Sequence, residues 1–307
     1  MIFTKIVEDF GTLKFTHELL SKEIGKVLAD RIREKSGFET RYICSDNEDI
    51  FNVASRCIRE KGLEQDIKTS EVIIVVSEYT VNNVPPPSAF LLGDFNLEKK
   101  LVLDLNRGCS GFCEALILVD KIFSTGSHSK ALIITAENYS KYFRRKNRSL
   151  APIFSDCVTF SFIKKGISSI SQYDYGSFYQ YRNDLIYQLR NDELYMNGPG
   201  LVSFVKSKVV PSIQSLLNDT SGNFELDYFL PHQGSKLIVD TIRDALNISE
   251  KICPFTAANI GNTNSSSIPL SLKTLLCKQR RSGSLNCLLS GFGVGLSYCN
   301  LILSLEV

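Results

Sequence analysis

An α/β protein is expected from three properties of this chain: short apolar runs bounded by polar or turn residues, intervening stretches with apolar residues at helical spacing, and the regular alternation of the two. The first helical stripe is Leu19, Leu20, Ile24, Val27, Leu28 and Ile32. A second comprises Ile50, Val53, Ala54, Cys57 and Ile58, introduced by a capping box from Ser45 to Glu48 and closed at Gly62. Runs at 72–76, 101–105, 131–135 and 158–163 are short and apolar enough for buried strands. Between the second and third of these, Phe112, Ala115, Leu116, Val119 and Ile122 mark the buried face of a helix. Residues 166–183 read as a polar, tyrosine-containing connection. The pattern then resumes with a helix around 201–217, which Pro211 should kink or interrupt, a strand at 226–230 and a helix at 237–246. Two apolar runs, 285–289 and 296–305, close the chain on either side of a glycine turn.

Composition narrows the class. With 307 residues, 43% of them hydrophobic, the chain can bury a large core as two domains or one duplicated one. A net charge of +2 without a basic, aromatic-rich motif gives no reason to expect nucleic-acid binding. No apolar segment reaches the roughly 18 residues of a membrane span, and the N-terminus lacks a signal peptide's basic region and apolar core. A cytoplasmic protein without membrane insertion is expected. The nine cysteines are odd in number and include no Cys-x-x-Cys pair, which argues against a disulfide framework and against structural zinc; no metal site is expected.

Three motifs carry chemistry: Gly-Cys-Ser-Gly-Phe at 108–112, Pro-His-Gln at 231–233 and Gly-Asn-Thr at 261–263. Cys109 falls where the run 101–105 gives way to a helix. Unpaired N–H groups and the macrodipole at a helix N-terminus favour negative charge, so this thiol is expected to ionise below the ~8.5 of a free cysteine and, as a thiolate, to hold an acyl group. The other cysteines lie mostly in apolar stretches and read as packing. Of the three histidines, His17 precedes an amphipathic helix and His128 lies in the polar stretch 124–129; both read as solvated surface. His232 ends the run 224–230 ahead of a helical pattern, the same kind of strand end as Cys109.

Together the motifs resemble the β-ketoacyl-acyl carrier protein synthase III family of the thiolase superfamily, over nearly the whole chain. Lys35-Ser36-Gly37-Phe38-Glu39-Thr40-Arg41 is similar to the family's early Arg-Thr-Gly-Ile-x-x-Arg segment, and the stretch from Asp104 to Phe112 to its nucleophile region. Phe154-Ser155-Asp156 resembles its Phe-Gly-Asp, although Cys157-Val158-Thr159-Phe160 replaces the small-residue run that follows. Met196-Asn197-Gly198, His232-Gln233, Gly261-Asn262-Thr263 with Ser267-Ile268-Pro269, and Gly291-Phe292-Gly293-Val294-Gly295 complete the series in the family's order.

The resemblance implies a thiolase-like duplicated five-layer α/β/α/β/α fold, with residues 1–165 carrying Cys109 and 166–307 carrying His232 and Asn262. It also implies that Cys109 is the nucleophile, that His232 and Asn262 hydrogen-bond the thioester oxygen of the second substrate, and that the backbone N–H groups of Cys109 and Val294 hold the acyl carbonyl. An acyl carrier protein, an acyl-coenzyme A substrate rather than a tightly bound cofactor, and a homodimer belong to the same expectation. Arg31 stands where the family commonly stacks a tryptophan on the adenine of coenzyme A, a residue type this chain lacks. Arg148, eight residues before Asp156, matches the arginine on the adenine's other side, and Phe292 and Gly293 fall in the substrate site. Pro86 replaces the aromatic with which a partner subunit often caps the acyl pocket, and Lys236-Leu237 replaces an apolar-arginine order near the carrier dock. Residues 2–15 lack the glycine and proline pattern of the family's opening strand and loop.

The function read from this is acyl transfer to Cys109 followed by decarboxylative condensation with a malonyl thioester, in fatty acid or specialised lipid or polyketide synthesis. An acyltransferase that passes the Cys109-bound group to a non-malonyl acceptor is the alternative. A biosynthetic thiolase would need a second cysteine just before the terminal glycine turn, and Cys287 is misplaced for that role. A noncatalytic partner subunit would have lost the nucleophile, which is retained here.

Overall fold

A computed structural model describes residues 1–79, 84–142, 147, 150–167, 170–188, 193–220, 224–278 and 283–306. Its strands are β1 (Ile2–Phe10), β2 (Leu13–Thr16), β3 (Thr40–Ile43), β4 (Val72–Val76), β5 (Leu101–Leu105), β6 (Lys130–Glu137), β7 (Cys157–Lys164), β8 (Ile170–Ser177), β9 (Leu185–Gln188), β10 (Glu193–Met196), β11 (Tyr228–Pro231), β12 (Ser284–Gly293) and β13 (Ser297–Glu306). Among the described residues they form two larger sheets, the first in the order β1-β7-β6-β4-β5 and the second in the order β11-β12-β13-β8, and two smaller pairs, β2 with β3 and β9 with β10. In the first, β4 runs parallel to β5 and β6, and β7 is antiparallel to β6 and β1. In the second, β11 and β12 are parallel and the other pairs antiparallel.

Helices cover and separate the sheets, giving five layers. Strand β4, Val-Ile-Ile-Val-Val, is buried on both faces, as a central parallel strand requires. Its Val72, Ile74 and Val76 meet the helices Gly111–Ser124 and Ser267–Lys278 through Phe112, Leu116, Val119, Ile268 and Leu272, and beyond these lie Leu289, Leu301 and Leu303 of the second sheet. The opposite side of β4, Ile73 and Val75, packs on Val53, Ala54 and Cys57 of the helix Ile50–Lys61. The outer face of the second sheet, with Phe229, Leu288 and Ile302, is covered by Phe204 and Ile213 of the helical stretch 198–218 and by Val239 and Ile242 of the helix Lys236–Leu246.

Several local expectations change for physical reasons. The first apolar stripe is two helices, His17–Ile24 and Lys26–Ser36, because Gly25 breaks it at φ 89°; Val27 is 77% exposed. The helix Ile50–Lys61 is capped by Asp49, in a box with Asn52, while Ser45 and Glu48 bond each other in the preceding turn; the stop at left-handed Gly62 is as expected. The connection read at 166–183 contains β8, whose alternate residues face solvent at the edge of the second sheet, so its apolar signal is halved. Ahead of Pro211 the helix widens into a π-helical turn, Val205–Val209, and then continues as Val210–Asn218, so the missing N–H is absorbed without a break. Strand β1 pairs with β7 along its length despite its unusual sequence. Among the described residues no helix is long and apolar enough to cross a membrane, and no group of three or more His, Cys, Asp or Glu could hold a metal.

Candidate active site

Cys109, His232 and Asn262 line one cavity of about 360 Å3. Each is delivered by the end of a different element. After β5 the chain makes a single 3-10 turn, Gly108–Ser110, and enters the helix Gly111–Ser124, so Cys109 sits at the expected strand-to-helix junction, 4% exposed. His232 follows β11, and its backbone N–H donates to Ser290 O of β12 at 2.7 Å. Asn262 lies in the loop before the helix Ser267–Lys278; its N–H donates to Ile153 O at 2.9 Å and its carbonyl accepts from Ser155 N–H at 2.8 Å. Those two bonds tie the loop to the segment that precedes β7.

Strand β12 supplies a wall through its glycines. A Cβ added at Gly291 would lie 2.6 Å from Cys109 O, so any side chain there collides with the nucleophile's backbone. One added at Gly293 would press on Cys109 Sγ at 3.1 Å. The rest of the cavity is largely apolar, with Leu185, Met196, Leu201, Phe204 and Ile238 on its walls.

The thiol reverses one expectation. Burial pushes Cys109 well above the ordinary thiol range, and Glu78 and Glu137 push it further in the same direction, against a backbone hydrogen bond that lowers it. Burial also raises Glu78, to about 7, while the Tyr139 hydroxyl donates to it. Glu137 is raised by burial and by the Glu78 charge; it accepts from Ser265 Oγ at 2.6 Å and from Glu78 N–H at 3.2 Å. Cys109 therefore rests as a thiol, with Sγ 3.9 Å from Asn264 Oδ1.

The two remaining groups are neutral hydrogen-bonding side chains. His232 Nδ1 lies 2.8 Å from Ser267 Oγ, and burial lowers the ring's pKa to about 4, so the imidazole is uncharged at neutral pH. The Phe292 ring stands edge-on to it at 5.5 Å. Asn262 Oδ1 accepts from Asn264 N–H at 2.9 Å, which leaves Nδ2 as the amide's donor toward the cavity. A thiol and two neutral donors on one cavity suit chemistry in which negative charge develops on a substrate oxygen.

The histidine environment has a consequence for stability. Because the folded pKa of about 4 lies below the ordinary 6.5, the unfolded chain binds the proton first as pH falls. His232 therefore leaves stability unchanged above about pH 6.5 and lowers it between there and pH 4, by about 2 kcal/mol at pH 5. Urea unfolding at pH 7.5 and pH 5 should show that extra loss in the natural chain and its disappearance in His232→Asn; equal losses in both proteins would contradict it.

The other expected residues fall in different places. Phe292 and Gly293 line the cavity. Val294 follows in the turn, its carbonyl accepting from Ser297 Oγ at 2.9 Å. Arg31 is exposed, and on its helix Lys35, one turn later, is the residue that reaches the cavity. Pro86 is exposed at the N-terminus of the helix Pro87–Leu92 and is not among the residues lining this chain's cavity. Arg148 lies outside the described residues. His17 and His128 are half-buried rather than solvated, and His17 Nε2 bonds Asp30 at 2.8 Å. Sequence reasoning passed over Glu78, Glu137 and Asn264. The first two stand just after β4 and at the end of β6, the strand ends where α/β proteins place functional groups. The third lies two residues beyond Asn262.

Residues 103–177 match the family model described as 3-oxoacyl-[acyl-carrier-protein (ACP)] synthase III, and residues 221–305 match the model of that enzyme's C-terminal part. The chain is 31% identical over 293 residues to the beta-ketoacyl-[acyl-carrier-protein] synthase III of Streptococcus uberis, covering 89% of this chain and 90% of the relative. It is 25% identical over 312 residues to that of Clostridium novyi, covering 95% and 96%. Among solved structures, a 3-oxoacyl-(acyl-carrier-protein) synthase III superposes with a TM-score of 0.89 at 23% identity, covering 98% of each chain. The priming beta-ketosynthase of the R1128 polyketide pathway superposes at 0.83 with 21% identity, covering 99% of this chain and 96% of the other. At those identities the structures establish the shared fold.

Proposed function

Because this chain belongs to the 3-oxoacyl-[acyl-carrier-protein] synthase III family, we propose that it loads an acyl group from a thioester onto Cys109 and condenses it with a malonyl thioester, releasing carbon dioxide. The observation that carries this reading is the convergence of one sulfur and two neutral donor side chains on a single apolar cavity. Sulfur attacks the donor's carbonyl carbon, the bond to the donor's sulfur breaks, and the proton of the Cys109 thiol leaves with the departing thiol. The backbone N–H groups of Cys109 and Val294 hold the carbonyl oxygen during this exchange. The malonyl thioester then loses carbon dioxide, His232 and Asn262 hold the enolate oxygen that forms, and the enolate carbon attacks the acyl group and expels the sulfur of Cys109 as a thiolate, which takes a proton from water to restore the thiol.

Acyl-coenzyme A is the proposed donor and acyl carrier protein the bearer of the malonyl group, with no resident cofactor, in the cytoplasm, serving fatty acid or a specialised lipid or polyketide synthesis. Intact-protein mass measurement after incubation with a panel of acyl-coenzyme A and acyl-carrier thioesters, then with malonyl carrier protein, tests the scheme. Loading followed by condensation supports it. Loading followed only by transfer to another acceptor would replace it with the acyltransferase reading.

A homodimer is proposed as the working form. Strand β5 has one neighbour in its sheet, β4, and Leu101 at its start is 38% exposed, so an open strand edge lies just ahead of the nucleophile. Sedimentation at micromolar concentration should give twice the 34.4 kDa chain mass. A fully active monomer would contradict it.

A further inference from the structure

Asn264 occupies the middle of the site without a place in the scheme above. Its backbone lies in the left-handed region at φ 51°, which asparagine enters more readily than most residues, and this conformation sets its N–H against Asn262 Oδ1. The side chain is 2% exposed and lines the cavity, with Oδ1 3.9 Å from Cys109 Sγ. The other end of the same amide, Nδ2, is buried and makes no hydrogen bond among the described residues.

A buried amide donor left unpaired is disfavoured and is rare in folded proteins. The cavity that Asn264 lines is walled mostly by aliphatic and aromatic carbon, so a ligand is the source of an acceptor for this group. One end of the amide touches the sulfur, and the other is held beside it by the planar group. The nearest ligand atoms are therefore those of whatever is bonded to that sulfur. On the reading of Cys109 as the acylated residue, the acyl carbonyl oxygen already has two backbone donors, which leaves Nδ2 for a second oxygen further along the acyl group.

We propose that Asn264 is a specificity-determining residue whose Nδ2 donates to a hydroxyl or keto oxygen close to the thioester carbon, so that the site favours oxygenated acyl groups over plain alkyl ones. A site that holds a polar donor for a substrate oxygen discriminates against the analogue lacking it, because the donor is then left buried and unpaired.

The test compares rates of Cys109 loading from 3-hydroxybutyryl-coenzyme A and butyryl-coenzyme A, followed by intact mass. The natural chain should load the hydroxylated donor about tenfold faster, the scale of one neutral hydrogen bond. Asn264→Ala and Asn264→Gly should load both donors at similar rates, the preference for the hydroxylated one being lost; glycine keeps the positive φ without strain. Equal rates in the natural chain, or a preference surviving in both variants, would overturn the inference while leaving Cys109 acylation in place. Loss of loading of both donors in both variants would make Asn264 a support of the loop and would also overturn it. Failure of the natural chain to load either donor would remove the reading of Cys109 and this inference with it.

Discussion

Replacing Cys109 by alanine is expected to abolish the covalent acyl adduct altogether. The substitution removes only the sulfur, at a position 4% exposed and pressed between the start of the helix Gly111–Ser124 and Gly293, so the fold should persist with a small void. No neighbouring cysteine can take over readily: Cys113 is buried one helical turn on, and burial holds its thiol far above the ordinary range. Mass measurement of the variant after incubation with a thioester that loads the natural chain should show unmodified protein. His232 and Asn262 remain in the variant, so decarboxylation of a malonyl thioester without condensation is expected to persist. Labelling that survives the substitution, or that maps to Cys113, would reject Cys109 as the nucleophile.

Asn262→Ala should separate the two half-reactions. The amide is assigned to the enolate oxygen, whose charge develops only as carbon dioxide leaves, so its loss raises the second barrier and not the first. Release of carbon dioxide from a malonyl thioester should fall about 100- to 1,000-fold, the cost of one oxyanion donor, while acyl loading changes by only a few-fold. Since Asn262 Oδ1 also accepts the Asn264 N–H, Asn262→Asp is a useful companion: it keeps that acceptor and replaces the donor with a carboxylate. A comparable loss of decarboxylation in both variants locates the effect in the missing donor. Equal decarboxylation by the natural chain and Asn262→Ala would remove Asn262 from the mechanism.

Much of the architecture was legible where structure follows from local pattern. The all-apolar run at 72–76 became a strand with those bounds, because a central parallel strand is buried on both faces and its whole sequence reports it. Strand β8 was missed for the converse reason: at a sheet edge only every second residue is buried, and its exposed serines and tyrosines read as loop. The cap at Asp49 and the break at Gly25 turned on one or two residues, below what apolar spacing resolves.

For the site, the sequence by itself determined which residue types were available and, for two of them, on what kind of element end they would sit: Cys109 between strand and helix, and His232 after a strand. Only the tertiary structure decided how they behave. The ionisation of Cys109 was read from its own helix terminus, a local field, yet the outcome is set by burial and by Glu78 and Glu137, which arrive on β-strand ends distant in sequence. The neutrality of His232 likewise comes from burial, and the unpaired Nδ2 of Asn264 from the way several separate segments close around one cavity. Desolvation is a property of everything packed around a group, and a linear pattern records only what precedes and follows it.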